Sequence, residues 1–298
     1  MKNLVNYARA STTRSFANAQ DDFMINFFHT YIPEPIAFQI GSLSIHWYGV
    51  ILVVAILAGY WIVNRLSRSS GLNQEAISSI YVNTLIIGFI GARLYHVISD
   101  WGFYGSNMSQ ILAVWNGGLA IHGAIIGAVL SVLYFSRKYK INFWKILDIF
   151  AIAGILGQAI GRWGNYFNQE LFGAPTDSWI GIPIDVAHRA EGFVQYTHFH
   201  PAFLYESLLC LAVFIILCVV FKKQTTTPLS WQERLRGGLV FWLYIGLYSF
   251  VRIIVESIRV NDAALVAGIR LPLLVSVLLA LLSIAMILKS LAFYHKKE

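Results

Sequence analysis

The chain has 298 residues, 57% of them hydrophobic and only 12% charged, with a formal net charge of +7. An average soluble domain is roughly 25% charged, so a water-soluble globular protein is excluded, and several apolar runs reach the ~20 residues that a membrane-spanning helix needs. On a soluble protein the positive balance would suggest nucleic acid or anionic lipid; here its distribution along the loops carries the information.

In chain order, residues 1–23 are polar and mixed, with Arg9, Arg14, Asp21 and Asp22 and no apolar core. They do not read as a signal peptide but as a non-native or disordered N-terminal extension, and Met24 is the expected start of a single integral-membrane domain over 24–298. The apolar stretch 31–43 contains Pro33, Pro35 and Gly41 and reads as an interfacial segment rather than a span. Seven spans follow, near 46–66, 77–98, 117–136, 146–167, 201–221, 238–257 and 271–292. The expected fold is therefore all-α, a polytopic membrane protein of about seven transmembrane helices. The loop 168–200, with Gly173, Pro175, Asp177, Gly181 and Pro183, forms a small extracytoplasmic cap.

The loops set the orientation. Arg65 and Arg68 follow span 1; Arg137, Lys138, Lys140 and Lys145 follow span 3; Lys222, Lys223, Arg234 and Arg236 follow span 5; Lys296 and Lys297 end the chain. The alternate loops hold far fewer basic residues, so the positive-inside rule places the N-terminus outside and the C-terminus in the cytoplasm. Trp47, Tyr48, Trp101, Tyr104, Trp115, Trp163 and Tyr166 then form an outer aromatic belt. Internal repeats are not evident, which disfavours an inverted-repeat transporter. Cys210 and Cys218 sit in one apolar segment without metal-ligand spacing and read as packing residues.

With this orientation, costly polar groups gather at the outer span ends. They are His46 and Tyr48 on span 1, Arg93 and His96 on span 2, and His122 on span 3. Arg162, Asn165, Asn168 and Glu170 close span 4, Tyr205 and Glu206 open span 5, and Tyr248, Arg252, Glu256 and Arg259 end span 6. Ionisable residues within a membrane mark a functional site by default. The span 6 residues fall at i, i+4, i+8 and i+11, one helical stripe on which Arg252 and Glu256 can pair. The arginines suit an anionic head group, because the planar guanidinium matches phosphate bidentately and stays charged. His122 is a candidate proton acceptor. Asp148, deep in the other half, is expected to tie the cytoplasmic end of span 4. Glycines 117, 118, 123, 127, 154, 157, 161 and 164 are expected to allow close approach of backbones or an irregular backbone. Blander readings stand beside these: Arg162 snorkelling or pairing with Glu170, and His198 with His200 as a metal pair lacking a third ligand.

Read as a set, these residues resemble the prolipoprotein diacylglyceryl transferase family. Gly161 to Glu170 is similar to the family signature Gly-Arg-x-Gly-Asn-Phe-x-Asn-x-Glu, with Tyr166 in place of Phe. Gly117-Gly118-Leu119-Ala120-Ile121-His122-Gly123 resembles Gly-Gly-x-x-x-His-Gly-Gly, with Ala124 at the last glycine. His200-Pro201-Ala202-Phe203-Leu204-Tyr205-Glu206 resembles His-Pro-x-x-Leu-Tyr-Glu, and Tyr248 to Arg259 resembles the family's Tyr-x-x-x-Arg-x-x-x-Glu-x-x-Arg. Trp47-Tyr48-Gly49 and Gly91-x-Arg93 also fit.

The resemblance implies an enzyme of the bacterial inner membrane. It would move the diacylglyceryl group of phosphatidylglycerol to the lipobox cysteine of a prolipoprotein signal peptide. It implies that Arg162, Asn165, Glu170, Arg252 and Glu256 bind the lipid, and that His122 and Tyr48 are catalytic. Arg93, Asn168, Tyr248 and Arg259 are then supporting residues. No cofactor, metal or nucleic acid is expected. The alternatives are a transporter or channel for an anionic solute or lipid, which calls for polar groups through the full membrane depth, and a non-catalytic lipid-binding assembly factor.

Overall fold

The computed structural model describes residues 28–226, 238–260 and 263–295. The expected extension 1–23 and the proposed start at Met24 lie outside the described residues. The long helices are α1 (Trp47–Ser69), α2 (Gln74–Ser99), α3 (Ile121–Lys138), α4 (Phe143–Phe167), α5 (Ala202–Thr226), α6 (Leu239–Ile258) and α7 (Leu271–His295). Each begins and ends within a few residues of the expected span.

Six of the seven expected spans are borne out by length and composition. Among the described residues, six helices are long and apolar enough to cross a membrane, and α3 is not one of them. The expected span 117–136 assumed helix from Gly117, but Gly117 and Gly118 take positive φ (86° and 81°) and the helix starts only at Ile121. That leaves 18 residues with His122 at one end and Arg137-Lys138 at the other. The stretch 31–43 is not a span, as expected. It contains β1 (Ile36–Ile40), paired antiparallel with β2 (Leu43–His46), which runs directly into α1. Two further antiparallel pairs join β3 (Ile182–Pro183) to β4 (His198–Phe199) and β5 (Leu265–Val266) to β6 (Ile269–Arg270). These short ladders were not foreseen.

The chain divides into two compact units. The first comprises residues up to Val54, Gln158–Cys210 and Ser249–Leu278; the second comprises Ala55–Gly157, Leu211–Tyr248 and the rest of α7.

In the first unit the cap has its own core, built from Tyr166, Phe172, Ile182, Ile184, Phe199 and Phe203, with Phe199 fully buried. Phe203 stacks on Tyr166 (4.9 Å between centroids) and meets Trp163 edge-on, which fixes the start of α5 against the end of α4. The segment from Gly173 bridges β4 and the end of α6: Gly173 N–H donates to His200 O (2.9 Å) and Ala174 N–H to Ile258 O (2.8 Å). A Cβ on Gly173 would lie 2.9 Å from the His200 Cβ, so the residue must be small.

In the second unit α2 and α3 pack through glycine. A Cβ on Gly123 would collide with Gly91 O, and one on Gly127 would lie 2.6 Å from Ile87 O. Such close approach of backbones is the usual means of helix association where lipid provides no hydrophobic drive. Asp148 ties α4 as expected, and its partner is the start of α6. Its carboxylate accepts from Gly238 N–H (2.7 Å) and Phe241 N–H (2.8 Å), which are orphan donors of that helix.

Three of the four glycines of α4 behave differently from expectation. A Cβ on Gly154, Gly157 or Gly161 would meet nothing within 4 Å, and the helix runs regularly through all of them. Nothing in the structure explains them. Large apolar side chains stay exposed along the helices, including Leu57 (61%), Ile98 (71%) and Leu281 (60%). Such surface suits lipid and not water.

Candidate functional site

The signature stretch is shaped by how α4 stops. Glu170 N–H donates to Asn165 O (3.0 Å) and Gln169 N–H to Tyr166 O (3.0 Å), the two bonds of a Schellman cap. The residue in the left-handed position is Gln169 (φ 51°), where glycine would be the easy choice. A non-glycine residue there costs about 1–2 kcal/mol. The Gln169 side chain offsets this: Nε2 donates to Pro33 O (3.0 Å) and Oε1 accepts from Asp185 N–H (2.7 Å). The sharp turn brings three side chains together, so that Glu170 Oε1 accepts from Asn165 Nδ2 (2.7 Å) and Asn168 Nδ2 (3.3 Å).

Arg162, one turn earlier, does not pair with Glu170. Its Nη1 donates to Asn165 Oδ1 (3.3 Å) and its Nη2 meets Glu206 Oε1 at 2.9 Å. The register between α4 and α5 is held close by, where Ser207 Oγ donates to Ala159 O (2.7 Å). Glu206 then reaches Arg252 Nη1 (3.4 Å), and Arg252 Nη2 meets Glu256 Oε2 (2.8 Å), the i, i+4 pair expected on α6. Glu256 also takes Arg270 Nε (3.0 Å) from β6 and Arg259 Nη1 at 3.8 Å. The result is an alternating ladder, Arg162–Glu206–Arg252–Glu256, ending on two further guanidiniums.

Both carboxylates are buried, each with a side chain 3% exposed. Four guanidiniums against two carboxylates leave surplus positive charge, and it persists when the exposed Glu170 at the rim is counted. Arg259 bears that surplus most directly. Burial first, then the repulsion from Arg252, lowers its pKa from the ordinary value. Its buried Nε has no hydrogen-bond partner among the described residues. Guanidinium donors of this kind pair most strongly with carboxylate or phosphate oxygens.

Tyr48 lies against α4 in the same unit. A Cβ on Gly164 would fall 2.5 Å from its ring, which explains the second glycine of the signature. Trp47 stacks on Phe167 beside it (4.9 Å). His198 and His200 are engaged in the protein: His198 Nε2 bonds to His29 O (3.0 Å) and His200 Nδ1 to the Tyr205 hydroxyl (3.0 Å).

Arg93, His122 and Tyr248 belong to the second unit. Arg93 is buried in a cage of backbone carbonyls. Its guanidinium donates to Gln110 O (2.6 Å), Ile111 O (2.8 Å), Gly117 O (2.6 Å) and Gly118 O (2.8 Å), and it lies over the Tyr104 ring. It therefore shapes the loop that leads into α3. His122 is exposed on the first turn of α3, with its ring 5.7 Å from that of Tyr95. Tyr248 stacks on Tyr244 at 6.0 Å.

Two members of the ladder were not among the expected site residues. Glu206 carried a signal, since it ends the His-Pro-x-x-Leu-Tyr-Glu element. Arg270 had none, as it lies 14 residues past its carboxylate across a hairpin.

The fold and the ladder define a multi-pass membrane protein with a buried cationic cluster. The family model of prolipoprotein diacylglyceryl transferase matches residues 35–289. The chain is 38% identical over 253 residues to the phosphatidylglycerol–prolipoprotein diacylglyceryl transferase of Synechocystis, covering 85% of this chain and 88% of that protein. It is 37% identical to the Nostoc protein of the same name (89% and 91% covered) and 40% identical to the one from Synechococcus elongatus (82% and 83%). The chain belongs to the prolipoprotein diacylglyceryl transferase family.

Proposed function

We propose that this protein transfers the sn-1,2-diacylglyceryl group of phosphatidylglycerol to the thiol of the lipobox cysteine in a prolipoprotein signal peptide. The cysteine sulfur displaces the phosphate oxygen from the glycerol carbon, a C–S thioether bond forms, and glycerol 1-phosphate leaves. This is the first step of lipoprotein maturation. Residues 24–298 act as one integral-membrane domain of the bacterial inner membrane. The N-terminus lies outside, the C-terminus lies in the cytoplasm, and the ladder faces the outer leaflet, as the basic loops argue.

The observation that carries this reading is the surplus positive charge of the ladder, in a chain of this family. The phosphodiester of the lipid carries one negative charge, and charge grows on the departing phosphate as the C–O bond breaks. Guanidiniums held in place beforehand by Glu206 and Glu256 stabilise that growing charge without reorganising, and a buried setting strengthens the effect. Arg162 and Arg252 are the phosphate ligands in this reading, with Asn165 and Glu170 orienting Arg162 and the head group. A free thiol has a pKa of about 8.5 and is mostly protonated at neutral pH. It therefore needs a base or a partner that shares its proton, and His122 and Tyr48 are the candidates.

The test is to incubate the purified protein with labelled phosphatidylglycerol and a lipobox peptide and to read the mass of the peptide. A diacylglyceryl adduct on the cysteine is expected. Arg162→Ala should lower the rate by at least about 10²-fold, the scale seen when a charge-stabilising donor is removed. Near-normal transfer by that variant would overturn the reading.

A further inference from the structure

The C-terminal end of α1, in the second unit, carries a cationic pocket of its own. A cavity of about 440 Å³ is lined by Trp61, Asn64, Arg65, Arg68 and Ser69. Arg65 and Arg68 fall three residues apart and so share a helix face. Both are exposed, and among the described residues neither forms an ion pair. This contrasts with the catalytic ladder, where every arginine meets a carboxylate. Arg65 lies over the Trp61 ring (5.5 Å to its centroid), and Arg68 Nη2 makes a long contact to Gln74 Oε1 (3.4 Å). Asn64 is held by the Ser78 hydroxyl, which donates to its Oδ1 at 2.8 Å.

Two like charges three residues apart on a helix are unfavourable by a few tenths of a kcal/mol. The helix C-terminus adds about half a negative charge, too little to neutralise two guanidiniums. An anion in the cavity is therefore favoured on balance. The neighbouring surface tells which anion. One and two turns before Arg65, Trp61 and Leu57 are 59% and 61% exposed, which gives an apolar track leading into the cationic pocket. Exposed arginines at a helix end are ordinarily a solvated face. Here the cavity, the missing counter-charges and the apolar approach coincide.

We propose that this pocket binds the phosphate of an anionic phospholipid, with an acyl chain lying along Leu57 and Trp61. Basic pockets on the cytoplasmic side of transmembrane helices bind anionic lipid head groups in this way. The site is separate from the transfer reaction and does not depend on that assignment.

Phosphatidylserine, which is not the proposed diacylglyceryl donor, serves as the probe. The purified protein is placed in phosphatidylcholine nanodiscs doped with phosphatidylserine, and bound lipids are counted by native mass spectrometry. The wild type and Arg162→Ala should both retain one phosphatidylserine. Its affinity should fall at least tenfold in R65Q/R68Q, and equally in Ser69→Glu, which keeps both arginines but places a carboxylate in the cavity. R65K/R68K should keep most of the binding. Equal retention by wild type, R65Q/R68Q and Ser69→Glu overturns the proposal. Displacement of the lipid by millimolar inorganic phosphate or glycerol phosphate would show that the pocket takes a free phosphate and would overturn the lipid assignment.

Discussion

At the scale of single residues, Glu206 is the pivot of the ladder. It is the buried carboxylate that both Arg162 and Arg252 address. Removing one partner of a buried ion pair costs about 3–5 kcal/mol. Glu206→Gln should accordingly lower the unfolding midpoint in detergent and, by letting two guanidiniums repel each other, reduce kcat for diacylglyceryl transfer more than it raises KM for the lipid. An unchanged midpoint and rate would show that Glu206 does not hold the arginines. Tyr166 offers an opposite case. Its ring packs in the cap core, but its buried hydroxyl has no hydrogen-bond partner among the described residues. A buried unsatisfied hydroxyl costs about 1–3 kcal/mol, so Tyr166→Phe, the residue of the family signature, should be as stable as the parent or more so. A loss of transfer without loss of stability would instead give the hydroxyl a part in the reaction.

At the scale of elements, the glycines divide into those that packing explains and those it does not. Gly123 and Gly91 permit backbone contact between α2 and α3. Overpacking costs about 1–3 kcal/mol even where flexible side chains can yield, and here a backbone carbonyl must move. Gly123→Ala should destabilise the protein by at least that much in thermal unfolding, whereas Gly161→Ala should change the midpoint little because its Cβ would enter open space. The contrast between the two is the check, since equal effects would mean that backbone flexibility and not contact decides. Asp148 shows the same principle with charge. A carboxylate from one helix caps the start of another, and the expectation that it ties the end of α4 holds because a deeply placed acid needs donors.

At the scale of the whole molecule, the exposed apolar surface of the helices and the asymmetry of basic residues argue a multi-pass protein of defined orientation. With Cys210 and Cys218 changed to Ala, which should leave transfer largely intact, single cysteines report the two sides. Asp177→Cys in the cap should react with an impermeant maleimide in intact cells. Lys138→Cys should react only after the membrane is opened. The reverse pattern would invert the topology and, with it, the leaflet that the ladder serves.

Much of this molecule was legible in the chain. The spans follow from the length of apolar runs, and the Arg252–Glu256 pair from helical spacing, because both depend on residues close in sequence. The motifs of residues 117–123, 161–170, 200–206 and 248–259 were enough to indicate the family. The exception among the spans, α3, is shortened by a local event, two glycines with positive φ that delay the helix. What only the tertiary structure decided are the partners that lie far apart in the chain. Arg162 turned to Glu206 rather than Glu170, Arg270 arrived across a hairpin to share Glu256, and Arg93 holds the loop that leads into α3. Apolar periodicity specifies which face of a helix is buried. Which charge meets which depends on the register between helices, and that is set by the packing of Phe203 on Tyr166 and of Ser207 on Ala159.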